Sequence, residues 1–516
     1  METYKQVLKD EIPAFRAAGH AFLNGEITRM EFKGKSGGMG CYAQKENGKF
    51  MIRLRTPSGV ISHEHFKLIL HYADQYKLDK IHLTTRQAIQ LHDLSLDDVC
   101  DIMEDAINHG LFTRGGGGNF PRNVALSPLA GVQKDEAFDV TPYALQTGSY
   151  FTINAPHYQL PRKLKAAFSS GTDDTACATL TDIGFMAVED NKKPMFRVWL
   201  AGGLGGGPAV GIPYDELVPP EDVMYHIEAI TQLFKAEGDY QNKSKARIRF
   251  IPRRMGVENF LKTYKEYLAE IKEKVKFDEL KAELSKEISW TPEISPSNIC
   301  IPQKQAGRYT VILHPICGQL EKNDLLELDS LLEKCPDAEL RLSMNEELYV
   351  RNLDKSNAQT FIQFAESQLM STKIQMSVSC VGTPTCQIGI MQSQTLCHGI
   401  LKELKDAGIS KDVLPSVHIS GCPNSCSRHQ MAQIGFAGRK KRVNDKVVDA
   451  FEIQVNGRIG ADLTEMGDIL GIMAASAIPE FMAALAKNLL TEQKTFTEFY
   501  ESDREAFMEL AGRYFI

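Results

Sequence analysis

A chain of 516 residues, 43% hydrophobic and 24% charged, has room for several cores and the balance of a soluble globular protein. Its net charge of −7 argues against a nucleic-acid binder, and no apolar run reaches the roughly eighteen residues of a membrane span. The N-terminus, METYKQVLKDEIPAF, lacks a signal-peptide core, so a cytoplasmic protein is expected, and its eleven cysteines read as thiols or metal ligands rather than disulfides.

The first elements are strand, Gly turn, amphipathic helix and strand across residues 51–94, with a helix near 62–77 carrying Phe66, Leu70 and Ala73 on its apolar stripe. Alternating Arg53 and Arg55 share one face of the first strand. Arg86 and Gln87 follow in LTTRQAIQ, Arg122 in NFPRNVALSPLAG, and Lys163 and Lys165 in LPRKLK. A single Arg is more often a solvated cation than a ligand. Six cations at alternating positions beside Thr, Gln and Asn suit a small anion or the carboxylates of a polyanionic cofactor, Arg as a fork and Lys as a point charge that can also give up a proton. Gly34-Lys35-Ser36 lacks the first glycine of a phosphate loop, because position 29 is Arg. The runs Gly115–Gly118 and Gly202-Gly-Leu-Gly-Gly-Gly207 complete no dinucleotide fingerprint and read as close backbone approach. The segment KARIRFIPRRMG, 245–256, is a further basic stretch.

Residues 310–353 repeat residues 51–94 at an offset of 259 without a gap, pairing Leu54 with Leu313, Gly59 with Gly318 and Leu94 with Leu353. Later segments repeat at 251 to 259, among them Asp182-Ile-Gly-Phe185 with Gln433-Ile-Gly-Phe436. The chain therefore reads as an internal duplication with a Pro- and Ser-rich linker at 285–308. The second copy has Ile312, His314 and Asn345 opposite Arg53, Arg55 and Arg86.

That second copy carries cysteines instead. Cys380 and Cys386 stand as C-x5-C, and Cys422 and Cys426 as C-x3-C, among turn-forming Gly382, Pro384, Gly421 and Pro423. At an offset of 254 the last two fall opposite Phe168 and Thr172. The spacing alone allows an iron–sulfur cluster, a zinc ion or two unrelated buried pairs, and it is neither the tight C-x2-C of structural zinc nor a common ferredoxin pattern. The other seven cysteines are isolated and read as small core residues.

TPTC, SGCPNSC, LTTRQ, PRNV, LPRK and the duplication together resemble the sulfite and nitrite reductases that use sirohaem and a [4Fe–4S] cluster, over nearly the whole chain. The resemblance implies an α+β fold in which two ferredoxin-like half-domains, 1–80 and 309–370, pair as one unit. It also implies two larger α/β domains, 81–284 and 371–516, that hold sirohaem and cluster between them about a pseudo-two-fold axis. It implies that Cys380, Cys386, Cys422 and Cys426 bind the cluster, with Cys426 also bridging to the sirohaem iron. Arg86, Arg122, Lys163 and Lys165 match the family's anion-binding quartet, and Arg53, Arg55 and Gln87 would lie against the sirohaem carboxylates. LPRKLK is closer to the LPRKFK of sulfite-type members than to the LPRKWN of nitrite-type members, so six-electron reduction of sulfite is expected, with nitrite as the alternative. A different class, a non-catalytic zinc-stabilised binding protein, would be colourless. Some relatives place a Cys beside the arginine matching Arg122, cross-linked to a Tyr; Pro121 stands there here, which leaves Tyr42 without that partner. No further ferredoxin-type cysteine set is present, so electrons are expected from another protein, ferredoxin first and a flavoprotein subunit second.

Overall fold

The computed structural model describes residues 2–286 and 288–516, so Met1 of the first expected unit and Glu287 of the linker lie outside the described residues. Each copy of the duplication builds one antiparallel and one mixed five-stranded sheet.

In the first copy, strand Phe50–Arg55 leads through the turn Pro57–Gly59 into helix His63–Gln75, and strand Lys80–Leu83 returns beside Ala88–Leu94. Ala88–Leu94 pairs antiparallel with both, so the strands flanking the helix are separated by it, a split βαβ unit. Ser62 caps the helix by accepting the His65 N–H at 3.1 Å. Its core face is Phe66, Ile69, Tyr72 and Ala73, with Leu70 at the edge. Each such buried side chain contributes about 1.5–3 kcal/mol. Helix Leu96–Asn108, closed by a Ser95–Asp98 capping box, packs on the same core.

The two half-domains exchange edge strands. Gln319–Glu321 of the second copy pairs with Lys80–Leu83 of the first, and Val60–Ile61 of the first pairs with Glu339–Leu342 of the second. A single hydrophobic core runs through both half-domains, from Leu8 to Leu111 and from Ile299 to Leu369. The first half-domain thus extends past the boundary expected at residue 80, because the last two strands and the capped helix complete its sheet and core. The linker is likewise shorter than 285–308. Strand Cys300–Pro302 already pairs with Tyr309–Leu313, and Trp290 stacks edge-on against Tyr309 at 5.6 Å.

The larger units hold separate cores, one within 124–271 and one dominated by 374–511. Their sheets repeat one plan. Ala125–Leu126, Ala166–Ser169 and Ile183–Asp190 run parallel and continue into an antiparallel hairpin, as do Val378–Ser379, Val417–Ser420 and Ile434–Val443. Backbone that L-residues seldom adopt recurs at matched positions: Ser58 and Cys317 at φ 50 and 53, Gln87 and Glu346 at 53 and 66, Asp174 and Ser425 at 52 and 55, Cys177 and Arg428 at 56 and 60. The last two pairs fix the offset in this region at 251. Cys422 and Cys426 therefore stand opposite Gly171 and Thr175, not Phe168 and Thr172, because the loops after Ala166–Ser169 and Val417–Ser420 have equal length.

Candidate active site

A cavity of about 870 Å³ opens where the large units and the first half-domain meet. Arg53, Arg55, Arg86, Arg122, Lys163, Lys165, Cys380, Cys386, Cys422 and Cys426 all line it. Among the described residues, the wall carries eleven Lys and Arg side chains and a single carboxylate, Glu346. On a chain of net charge −7, such a wall demands an anionic occupant.

The arginines are held from behind by carbonyls. Arg53 Nη1 donates to Gly116 O at 2.6 Å, Arg55 Nη1 to Arg114 O at 2.8 Å, and Arg122 to Gly116 O and Gly118 O at 2.7 Å each. This is what the run Gly115–Gly118 provides: its carbonyls face the guanidinium groups of Arg53 and Arg122 while its backbone presses on Tyr42. A Cβ on Gly117 would lie 2.1 Å from the Tyr42 hydroxyl. Tyr42 accepts the Gly118 N–H at 3.2 Å. Arg86 donates to Asn123 O and Ala166 O at 2.9 and 2.8 Å. Arg86 Nη1 and Arg122 Nε remain buried without a partner. A buried guanidinium N–H without an acceptor is costly.

The lysines keep only their exposure to the cavity. Burial, together with Arg247 and Arg122, pushes the Lys163 ammonium down to about 7. Burial beside Arg86 and Lys163 also lowers Lys165 strongly. Asp182, fully buried, accepts the Lys165 backbone N–H at 2.8 Å and pairs with Arg247 at 2.9 Å. That pair places Arg247, from the basic stretch 245–256, on the cavity wall. Loss of one partner of such a buried pair costs about 3–5 kcal/mol.

Two loops bring the thiols. Gly421 N donates to Cys380 Sγ at 3.1 Å and Asn424 Nδ2 to Cys422 Sγ at 3.4 Å, polar contacts of the kind that stabilise thiolates. Gly382 (φ 55) and Gly421 admit no side chain, since a Cβ would come within 2.4 Å of Ser393 Oγ and 2.7 Å of Met391 O. Thr85 Oγ1, one residue before Arg86, donates to Cys426 O at 2.8 Å. The second glycine run also reaches across, Gly205 N donating to Gln430 Oε1 at 3.3 Å. Cation set and cysteine loops are thereby fastened to each other. Among the described residues, no three His, Cys, Asp or Glu side chains converge on a point that one metal ion would occupy. All four cysteines line this one cavity, and four thiolates are the donor set of a [4Fe–4S] cluster, each sulfur on its own iron. Cavity size, charge, unpaired guanidinium N–H groups and donor set fit a carboxylate-bearing tetrapyrrole beside a cluster.

Gln87 is the exception among the expected residues. It does not line the cavity; its amide accepts the Leu126 N–H at 2.9 Å and donates to Leu126 O and Leu342 O at 2.6 and 2.7 Å, fully buried. It joins backbone segments and has no donor left for a cofactor carboxylate. Arg247, Arg428 and Thr85 complete the site. The basic segment 245–256, which the family resemblance places on the cofactor side, contains the first, and nothing in the sequence marked the other two.

Comparison with known proteins agrees with this arrangement. The family model "Nitrite/Sulfite reductase ferredoxin-like half domain" matches twice, at 42–108 and 301–366, and "Nitrite and sulphite reductase 4Fe-4S domain" matches 117–272, the first large unit. The chain is 28% identical over 431 residues to the ferredoxin–nitrite reductase of Synechococcus elongatus, covering 80% of this chain and 81% of that one. It is 26% identical over 468 residues to sulfite reductase [ferredoxin] 1 of Mycolicibacterium paratuberculosis, covering 84% and 81%. The solved structure of Mycobacterium tuberculosis NirA protein superposes with a TM-score of 0.79 at 22% identity, over 97% of this chain and 96% of that one, and so shares the fold. With the half-domain model matched twice in the expected positions, and a cavity that suits both cofactors, this chain belongs to the nitrite and sulfite reductase family, oxidoreductases that carry sirohaem and a [4Fe–4S] cluster.

Proposed function

We propose that the protein reduces sulfite to sulfide in a six-electron reaction, with Arg86, Arg122, Lys163 and Lys165 binding the anion. The observation that carries this reading is the pair of lysines: two ammonium groups two residues apart on the cavity wall, matched to a dianion whose three oxygens must leave as water. When bound, the cofactors would relay the donor's electrons one at a time and supply a Lewis-acidic iron. The chain's own groups do the rest. The unpaired N–H groups of Arg86 and Arg122 hold the anion's oxygens and stabilise charge as it grows on them. Lys163, poised near neutrality by burial and its cationic neighbours, gives up a proton at its Nζ to a departing oxygen and regains it from water. Cys380, Cys386 and Cys422 would hold the cluster, and Cys426 both cluster and tetrapyrrole iron. Arg53 and Arg55 would hold tetrapyrrole carboxylates.

Reduction of nitrite to ammonia at the same site is the second reading, favoured by the nitrite reductases among the relatives. The relatives' names also support reduced ferredoxin as donor, ahead of a flavoprotein subunit. Steady-state kcat/KM for sulfite and nitrite, with reduced ferredoxin as donor, tests the choice. A sulfite advantage is expected; a large nitrite advantage would reverse the assignment. Purified protein without a Soret band or acid-labile sulfide would remove both.

A further inference from the structure

The turn that carries Arg86 recurs in the second copy with one telling change. Thr84-Thr85-Arg86-Gln87 corresponds to Ser343-Met344-Asn345-Glu346, and the last residue of each is left-handed. In the first copy Gln87 Oε1 accepts the Leu126 N–H while Nε2 donates to Leu342 O at 2.7 Å, across the half-domain boundary. In the second copy Glu346 Oε2 accepts the Ser379 N–H at 3.0 Å. Ser379 ends strand Val378–Ser379, the counterpart of Ala125–Leu126. At the offset of 259 the counterpart of Leu342 is Leu83.

The glycines preceding both turns are crowded by matching carbonyls and by the side chain of the matching turn residue. A Cβ on Gly59 would stand 3.0 Å from both Gln87 Nε2 and Leu342 O, and one on Gly318 would stand 2.6 Å from Leu83 O and 3.0 Å from Glu346 Cβ. By that equivalence the remaining carboxyl oxygen of Glu346 would take the place of the Gln87 amide donor, opposite the Leu83 carbonyl. A carboxylate there would set oxygen against oxygen with no proton between them, whereas a carboxylic acid can donate.

We propose that Glu346 is held as the neutral acid, its O–H donating to the Leu83 carbonyl, and that it is a positioning residue that fixes the strand Val378–Ser379 as Gln87 fixes its counterpart. The surroundings agree. Glu346 is 1% exposed. Burial raises its pKa well above the carboxylate range, helped by Cys317 on the turn Ile316–Gly318 and by Glu347 beside it. Arg428 from the cysteine loop and the Ser379 N–H oppose this without reversing it. His82, whose ring lies against Gly318, is itself kept neutral by burial. Among the described residues Glu346 is also the one carboxylate on the cavity wall, and a neutral acid adds no negative charge to a wall otherwise lined by cations. The inference holds whichever anion is the substrate.

The test is Glu346→Gln, which installs the residue the first copy already uses. An acid that keeps its proton in the folded state, after the unfolded chain has released it, loses stability as pH rises from about 4.5 until it ionises in place. Glutamine does not titrate. The holoenzyme variant should match wild type near pH 5 and then gain in Tm over wild type by about 1 °C per pH unit up to pH 8. Infrared spectra at pH 7 should show a carboxylic-acid carbonyl band in wild type that Glu346→Gln lacks. Gln87→Glu should add a second such band, an independent check should the first variant fold poorly. A Tm difference flat from pH 5 to 8, or a wild-type band that survives Glu346→Gln, would overturn the proposal.

Discussion

Lys165→Asn removes the positive charge that a bound anion stabilises on Lys165, and leaves a donor of smaller reach. At an effective dielectric of about 20, unit charges about 4 Å apart interact by about 4 kcal/mol; allowing half for relaxation leaves about 2 kcal/mol per anion charge. A monoanion should then lose roughly 30-fold in kcat/KM and a dianion roughly 1000-fold, so preference should move toward nitrite by about 30-fold. The fold should not suffer. Lys165 sits among Arg86, Lys163 and Arg247, so its removal relieves repulsion in the ligand-free protein, and Tm should hold or rise. The assay is kcat/KM for both anions at about pH 8, where sulfite is the dianion, with Tm as control. An unchanged ratio, or one moved toward sulfite, would refute the role given to the second lysine.

Lys163 gives a pH signature. Its pKa lies at about 7 in the ligand-free cavity, and a bound anion raises it, so binding takes up a proton. Anion affinity should fall by up to about tenfold per pH unit above 7, measured by spectral titration, and Lys163→Met should flatten that slope. Cys426→Ser should leave the chain folded but abolish six-electron turnover; activity near wild type would remove the bridging role. Gln87→Ala strands the Leu126 N–H and the Leu342 carbonyl in the core, so stability should drop by about 2–5 kcal/mol in denaturant melts. Because Gln87 does not touch the cavity, the KM for the anion should stay within about twofold of wild type.

Much of this was legible because repeats and spacings are linear features. The 259-residue offset anticipated both antiparallel sheets, and alternating cations anticipated one wall of the cavity. Domain limits were harder. Strand Ala88–Leu94 belongs to the first half-domain by hydrogen bonding, which composition cannot reveal, and its apolar pattern looks the same in either domain. The exchange of edge strands was invisible because Val60–Ile61 and Gln319–Glu321 are too short to carry a pattern. Gln87 was misassigned for a related reason. Its neighbour Arg86 faces the cavity, and the left-handed backbone at Gln87 turns the next side chain the other way. Thr85 and Arg428 act through backbone carbonyls and long-range contacts, which no local motif encodes.

The exchanged strands also bear on how the enzyme is made. Each half-domain's sheet is completed by a ribbon from the other copy, so a chain cut in the linker yields two pieces with unfilled sheet edges, prone to pair with whatever strand they meet. All four cysteines and most of the cavity's cations reside in different halves, which the same two ribbons tie together. Met30, Lys33 and Lys243 are exposed where they line the cavity, so ammonium groups stand at its mouth, facing any polyanion that approaches.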